Sequence, residues 1–196
     1  MARSWESSRS FALELIEIGL LALGIYLVIT FAVETVHVIG LSMYSTLDND
    51  DLLIASKIDY HFHSPQRGDI VILKPPFGQN DLIKRVVGLP GERFEIRDGH
   101  VYINGRQLNE PYINPAEPWT INANSTQQVI PAGYYFVMGD NRNHSSDSRA
   151  FGPIRSDDIE ARAWIRIWPL NKFGFVDGHP SFGTVLLPLW EQLHAA

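Results

Sequence analysis

Apolar positions along this chain fall into two regimes, one continuous run followed by short broken ones. Residues 18–33, IGLLALGIYLVITFAV, carry no charge and as a helix would run about 24 Å. That is a little short for a hydrocarbon layer of about 30 Å; extension back to Phe11 gives a segment long enough to span, but takes in Glu14 and Glu17. The pattern predicts a single membrane anchor over residues 11–33, behind a tail over residues 1–10. A removable signal peptide is an alternative reading, because Thr30 and Ala32 are small enough for a cleavage site; a buried core helix is a third.

Beyond Val33 the apolar runs are short, β-branched and bounded by turn residues. DLLIASK (51–57), GDIVILK (68–74), DLIKRVVG (81–88), YYFVMG (134–139) and EARAWIRIW (160–168) predict strands, with SPQRG, PPFGQN and LPGE as turns between the first of them. In the last strand Ala161, Ala163, Ile165 and Ile167 alternate with Arg162, Trp164, Arg166 and Trp168, the period of a strand with two unlike faces. Asp98-Gly99 and Asn104-Gly105 are strong hairpin signals and predict a ribbon over about residues 92–108, followed by a loop containing Pro and Asn. The expectation is a mainly β protein: an antiparallel sheet domain built from residues 34–91 and 134–169, an inserted β-hairpin sub-domain over 92–133, and one N-terminal transmembrane helix. Residues 170–196 form a tail whose last stretch, TVLLPLWEQLHAA, is too short to span a membrane and either packs on the domain or dips into the interface.

Composition narrows the chemistry. A chain of 196 residues that is 45% hydrophobic and 19% charged belongs to a folded protein. With 22 acidic against 16 basic side chains and a net charge of -6, it lacks the basic stripe of a nucleic-acid binder. The absence of cysteine excludes disulfides, zinc thiolates and a cysteine nucleophile. Arg3 and Arg9 precede the anchor, whereas Glu34, Asp48, Asp50 and Asp51 follow it. The positive-inside rule therefore predicts a cytoplasmic N-terminus and an extracytoplasmic body.

Ser42 lies just after the anchor, in HVIGLSMYSTLDNDD, and is the candidate nucleophile; a serine hydroxyl reacts only when a neighbouring base takes its proton. His37, His61, His63 and His144 are candidate bases, but none has a surrounding pattern that specifies a triad. His61 and His63 form an H-x-H pair with no identified third ligand, so no metal site follows. Lysine is the alternative base. In DLIKRVV, alternation puts Lys84 on one face with Leu82 and Val86, and Arg85 on the other with Ile83 and Val87. If the Lys84 face is buried, desolvation lowers its pKa and makes it a base; if the strand lies at an edge, its head reaches water and it remains an ordinary cation.

Four segments in order make the sequence resemble the bacterial type I signal peptidases, membrane-bound Ser-Lys endopeptidases. Ser42-Met43 with Thr46-Leu47 resembles the nucleophile block, and Arg67-Gly68-Asp69-Ile70-Val71 the second block. Lys84-Arg85-Val86-Val87-Gly88-Leu89-Pro90-Gly91 resembles the general-base block; Gly139-Asp140-Asn141-Arg142-Asn143 with Ser145, Asp147, Ser148 and Arg149, then Phe151-Gly152-Pro153, resembles the last. The resemblance implies Ser42 as nucleophile, Lys84 as general base, Ser145 as the hydroxyl that orients Lys84, and an Asp147–Arg149 ion pair supporting the last block. It implies that Val36, Val38, Met43 and Ile83 line pockets for small residues at -1 and -3, although core packing is an equally ordinary role for them. The substrate would add as a strand beside Asp81 to Lys84. The oxyanion would be held by the Ser42 backbone N–H and a second donor, with Gly40 standing where part of the family has serine. Asp140, Asn141 and Arg142 are read as braces for the loop.

It further implies removal of signal peptides from exported preproteins at the outer face of the bacterial cytoplasmic membrane, by a monomer whose partners are preproteins and the lipid bilayer, with no cofactor and no nucleic acid. Two departures stand out: Ser45 replaces the proline of the nucleophile block, which loosens the loop, and Glu92 stands where many relatives have aspartate. Two rival readings share these features. One is a self-cleaving repressor with the same catalytic core, which the anchor and acidic charge oppose. The other is an inactive anchored β-domain that binds signal-peptide-like segments or a secretion partner, for which Ser45 is the supporting feature.

Overall fold

The computed structural model of the chain describes residues 2–75, 80–120, 125–176 and 181–182. Helix α1 (Ala2–Ala32) is continuous, about 46 Å long. Its apolar part, Leu13–Ala32, has a mean hydropathy of 2.3 and none of it is buried in the protein. A core helix is therefore excluded. No loop follows: the chain passes from Ala32 straight into strand β1 (Val33–His37), where the β-branched Val33, Thr35 and Val36 favour extended backbone.

The body is built from antiparallel strands: β2 (Leu52–Ser56), β3 (Ile70–Leu73), β4 (Leu82–Gly88), β5 (Arg93–Arg97), β6 (His100–Ile103), β7 (Arg106–Asn109), β8 (Ser125–Val129), β9 (Tyr134–Met138), β10 (Ile154–Arg155), β11 (Ile159–Trp168), β12 (Gly174–Phe175) and β13 (Ser181–Phe182). The larger sheet has the order β1-β2-β11-β3-β4-β9-β10, with β12 paired to β11; the smaller has the order β13-β7-β6-β5-β8. In the smaller sheet the two predicted hairpins close at Asp98-Gly99 (φ 50 and 72) and Asn104-Gly105 (φ 51 and 80), the left-handed pairs that two-residue turns require.

Three apolar clusters hold these sheets. Val87, Phe94, Ile96, Val101, Ile103 and Phe136 join the smaller sheet to β4 and β9, with the Phe94 and Phe136 rings stacked at 3.9 Å. Val38, Met43, Leu47, Leu53, Ile70 and Ile72 form a second cluster beneath the segment that follows β1, and Val71, Leu73, Val86, Val137 and Ile154 form a third. β3 feeds alternate side chains into the last two clusters, so both of its faces are covered. β4 pairs with β3 over Leu82–Arg85 and with β9 from Arg85 onward, so only its second half is an inner strand.

The regular alternation predicted for residues 160–168 is interrupted. Against β2 the register slips between Ala163 and Ile165 and again between Arg166 and Trp168, so Arg166 and Ile165 are both half-buried. A bulge adds one residue to the strand and re-aims the side chains beyond it. The C-terminal stretch 184–196 lies outside the described residues, as does most of the PPFGQN turn.

Candidate active site

The segment after β1 is fixed from both ends. Gly40 takes φ 96, a conformation that costs glycine little, and its N–H donates to Asn49 Oδ1 at 2.8 Å. Met43 and Leu47 then anchor the turn in the core, and the Leu47 N–H donates to the Met43 carbonyl at 2.8 Å. Ser42 sits between these anchors. Its carbonyl accepts from the Asn141 N–H at 3.0 Å, while its own N–H meets no hydrogen-bond acceptor among the described residues.

Lys84 approaches from the first half of β4, paired to β3. Only 3% of its surface is exposed, and its face neighbours Leu82 and Val86 and its cross-strand partner Val71 all belong to apolar packing. Nζ donates to Ser42 Oγ at 2.9 Å and to the Ile83 carbonyl at 2.8 Å. Burial lowers the Lys84 pKa from 10.5 to about 8, an effect that the Asp147 and Asp140 carboxylates partly oppose. An amine in this position has two demands on its geometry. When neutral it retains two N–H donors and one lone pair, so the bond to the Ile83 carbonyl fixes a donor and leaves the lone pair for the serine hydroxyl.

A layer of buried ion pairs supports this contact. Arg85, on the opposite face of β4, donates Nε and NH2 to the two oxygens of Asp140 at 2.8 and 2.7 Å and NH1 to the Gly68 carbonyl at 2.9 Å. Thr46 Oγ1 donates to the same Asp140 carboxylate at 2.5 Å, tying the turn of Ser42 to the last block. Arg142 pairs with Glu110, and both Arg142 and Arg149 lie over the Trp119 ring, at 4.9 and 5.3 Å. Asp140, Asn141 and Arg142 thus all make bracing contacts. Arg85, Glu110 and Trp119 were not singled out from the sequence; for Arg85 the signal was a charged residue between Ile83 and Val87 on an apolar face, which calls for a buried partner.

Asp147 accepts two bonds from the Arg149 guanidinium, both at 2.8 Å, one from the Arg149 N–H at 3.2 Å and one from the Gly139 N–H at 3.0 Å. Burial alone would raise its pKa, but the hydrogen bonds and charge of Arg149 and the Gly139 N–H outweigh that and hold it below 3.8. Ser145 lies beside Gly139, near the Ser42 carbonyl. Its Oγ is buried and faces the Asp147 carboxylate, whose charged form it favours, and not Lys84, so the expected Ser145–Lys84 bond is not formed. Among the described histidines none hydrogen-bonds Ser42: His37 lines the same cavity but pairs with Asp50 at 3.1 Å, and His63 meets the Tyr60 ring in a T-shaped contact.

A cavity of about 640 Å³ opens from Ser42. Residues 34–40 form one wall and residues 80–84 the other; Val36, Val38, Met43, Asp81 and Ile83 all line it. Val38 and Met43 are also core residues, and Val36 and Ile83 pack against the same cluster, so the two roles coincide. Both walls carry unpaired backbone. Among the described residues β1 pairs only with β2, and the first half of β4 only with β3, because β9 joins it from Arg85 onward. β1 and β4 run in the same direction, since the three strands between them alternate.

Residues 12–168 match the family described as "Signal peptidase, peptidase S26". "Signal peptidase I" of Leptolyngbya laminosa is 40% identical over 172 residues, 83% of this chain and 80% of that protein. "Probable signal peptidase I-1" of Synechocystis is 38% identical, covering 84% of this chain and 86% of the relative. "Signal peptidase I" of Bacillus caldolyticus is 34% identical, covering 69% and 80% respectively.

Proposed function

This chain belongs to the signal peptidase family, peptidase S26, and from that premise we propose that it is a membrane-anchored serine endopeptidase that uses Ser42 as nucleophile and Lys84 as general base to remove signal peptides from exported preproteins. The observation that carries the reading is the 2.9 Å contact between Ser42 Oγ and the Nζ of a buried lysine whose pKa is lowered to about 8.

Neutral Lys84 takes the proton from Ser42 Oγ as that oxygen bonds to the scissile carbonyl carbon. The negative charge moves to the carbonyl oxygen, where the uncommitted Ser42 N–H is a donor. The C–N bond then breaks, the leaving amine takes the proton from the Lys84 ammonium, and an acyl-enzyme remains. Water attacks that ester with Lys84 again accepting the proton, and Ser42 is regenerated as the cleaved segment leaves. Arg85, Asp140, Asp147 and Arg149 hold the two reacting side chains in register.

The substrate lies as a strand between the free edges of β1 and β4. A signal peptide emerging from the bilayer beside α1 and reaching Ser42 with its scissile bond runs parallel to both. Val36, Val38, Met43 and Ile83 set the size of the residues accepted at -1 and -3. With α1 across the bacterial cytoplasmic membrane and its N-terminus inside, the active site faces outward.

The test is cleavage of a preprotein with a small-x-small site by the full chain in detergent. Cleavage after the -1 residue is expected, with Ser42→Ala and Lys84→Arg both inactive, since guanidinium is never a base in a protein. An active Lys84→Arg protein would rule out this base, and an active Ser42→Ala this nucleophile. A folded wild-type protein that binds the preprotein without cutting it favours the anchored binding domain instead.

A further inference from the structure

The turn that carries Ser42 separates two openings. The first, described above, includes Ser42 and Met43; a second, also of about 640 Å³, begins with the next three residues, Tyr44, Ser45 and Thr46, and continues along Tyr112, Asn114 and Arg166. A strand that runs parallel to β1 and places its scissile bond at Ser42 has its preceding residues in the first opening. The residues that follow the bond are then carried toward the far side of the turn, within reach of the second opening, because each extended residue advances about 3.3 Å.

Among the described residues lining this second opening, Arg166 bears the only charge. Its NH2 donates to the Thr46 carbonyl at 2.6 Å and its NH1 pairs with Asp51 at 3.2 Å, but its Nε finds no acceptor. That Nε is buried, so what the guanidinium gives the opening is charge, shared with Asp51, rather than a free donor. Ser45, where the nucleophile block has proline, lies in this wall and not in that of the first opening. Its hydroxyl adds a hydrogen-bonding group where a proline ring would offer none.

Resting on the endopeptidase reading, we propose that the second opening is the subsite for the segment just after the scissile bond, and that it favours a carboxylate side chain at +2 to +4. Selection at -1 and -3 and selection after the bond are then set by opposite sides of one turn, and Ser45 tunes only the latter.

The test uses the full chain in detergent and peptides identical up to -1, carrying Asp, Ala or Lys at one of positions +2 to +4. At one position Asp is expected to exceed Lys in kcat/KM by about three- to fivefold at low salt, the effect of one partly exposed ion pair, and by less at high salt. Asn114→Asp should erase or reverse that order, because it keeps the oxygen that accepts from the Ala116 N–H at 3.0 Å and adds only a negative charge to the wall. Equal cleavage of Asp and Lys peptides at every position, or an order that Asn114→Asp leaves unchanged, overturns the subsite. A protein that cuts none of the peptides overturns the endopeptidase reading, and the subsite falls with it.

Discussion

At the scale of single residues, the proposed mechanism turns on Lys84. Alternation placed it between Leu82 and Val86 and left two readings open, a buried base and an ordinary cation whose head reaches water; it did not reveal what covers that face. At Lys84 the strand has β3 on one side only, since β9 joins at Arg85, and the burial comes from packing instead: Val71, Leu82 and Val86 lie around the side chain and the Ser42 turn lies against its amine. The consequence is a pH profile. With a pKa near 8, about one Lys84 in ten is the free base at pH 7. Since the amine must be neutral to act, kcat/KM should rise with pH, close to tenfold per unit well below pH 8, and level off above it; a profile flat between pH 6 and pH 9 would remove Lys84 from the proton path. The same burial is a stability cost. The unfolded lysine keeps its proton up to about pH 10.5, so the folded state is penalised by roughly 3 kcal/mol below pH 8, and the penalty fades as pH rises from 8 to 10.5.

At the scale of elements, strands bounded by turn residues were legible and strands fused to other elements were not. β2, β3, β4, β9 and β11 follow from their apolar runs, and the β5-β6-β7 meander from its two X-Gly turns. β1 was hidden, because its apolar residues continue those of the anchor with no glycine, proline or charge cluster between them. The pairing of Arg85 with Asp140 was hidden for another reason: 55 residues separate them, and no local pattern carries that distance. Gly139 shows how closely these distant elements approach. A Cβ added there would fall well inside contact with the Ser42 carbonyl oxygen and Ser145 Oγ. Gly139→Ala must therefore push the Ser42 turn away from the last block; activity should fall by about 100-fold while a cooperative thermal melt is retained, since small displacements of reacting groups are costly to rate.

At the scale of the whole molecule, the sequence indicated a membrane anchor followed by a β body, and the family match and exposed apolar helix agree with a membrane-anchored protein. The shape of the cleft was not legible, because it depends on how two sheet edges face each other. The orientation is open to direct measurement: protease added to intact spheroplasts should digest the body after Val33, while a tag fused before Met1 stays protected until the membrane is broken. The opposite pattern would put the active site on the inner side.

The direct passage of α1 into β1 has a mechanical meaning. Since β1 is itself a wall of the cleft, the active site has no hinge from which to swing, and Ser42, nine residues beyond Val33, stays within about 30 Å of the helix end. On the proposed endopeptidase reading, such a protein is a gauge of fixed length: a small-x-small sequence that leaves the bilayer alongside it is read at one height, and one farther from the membrane passes unread.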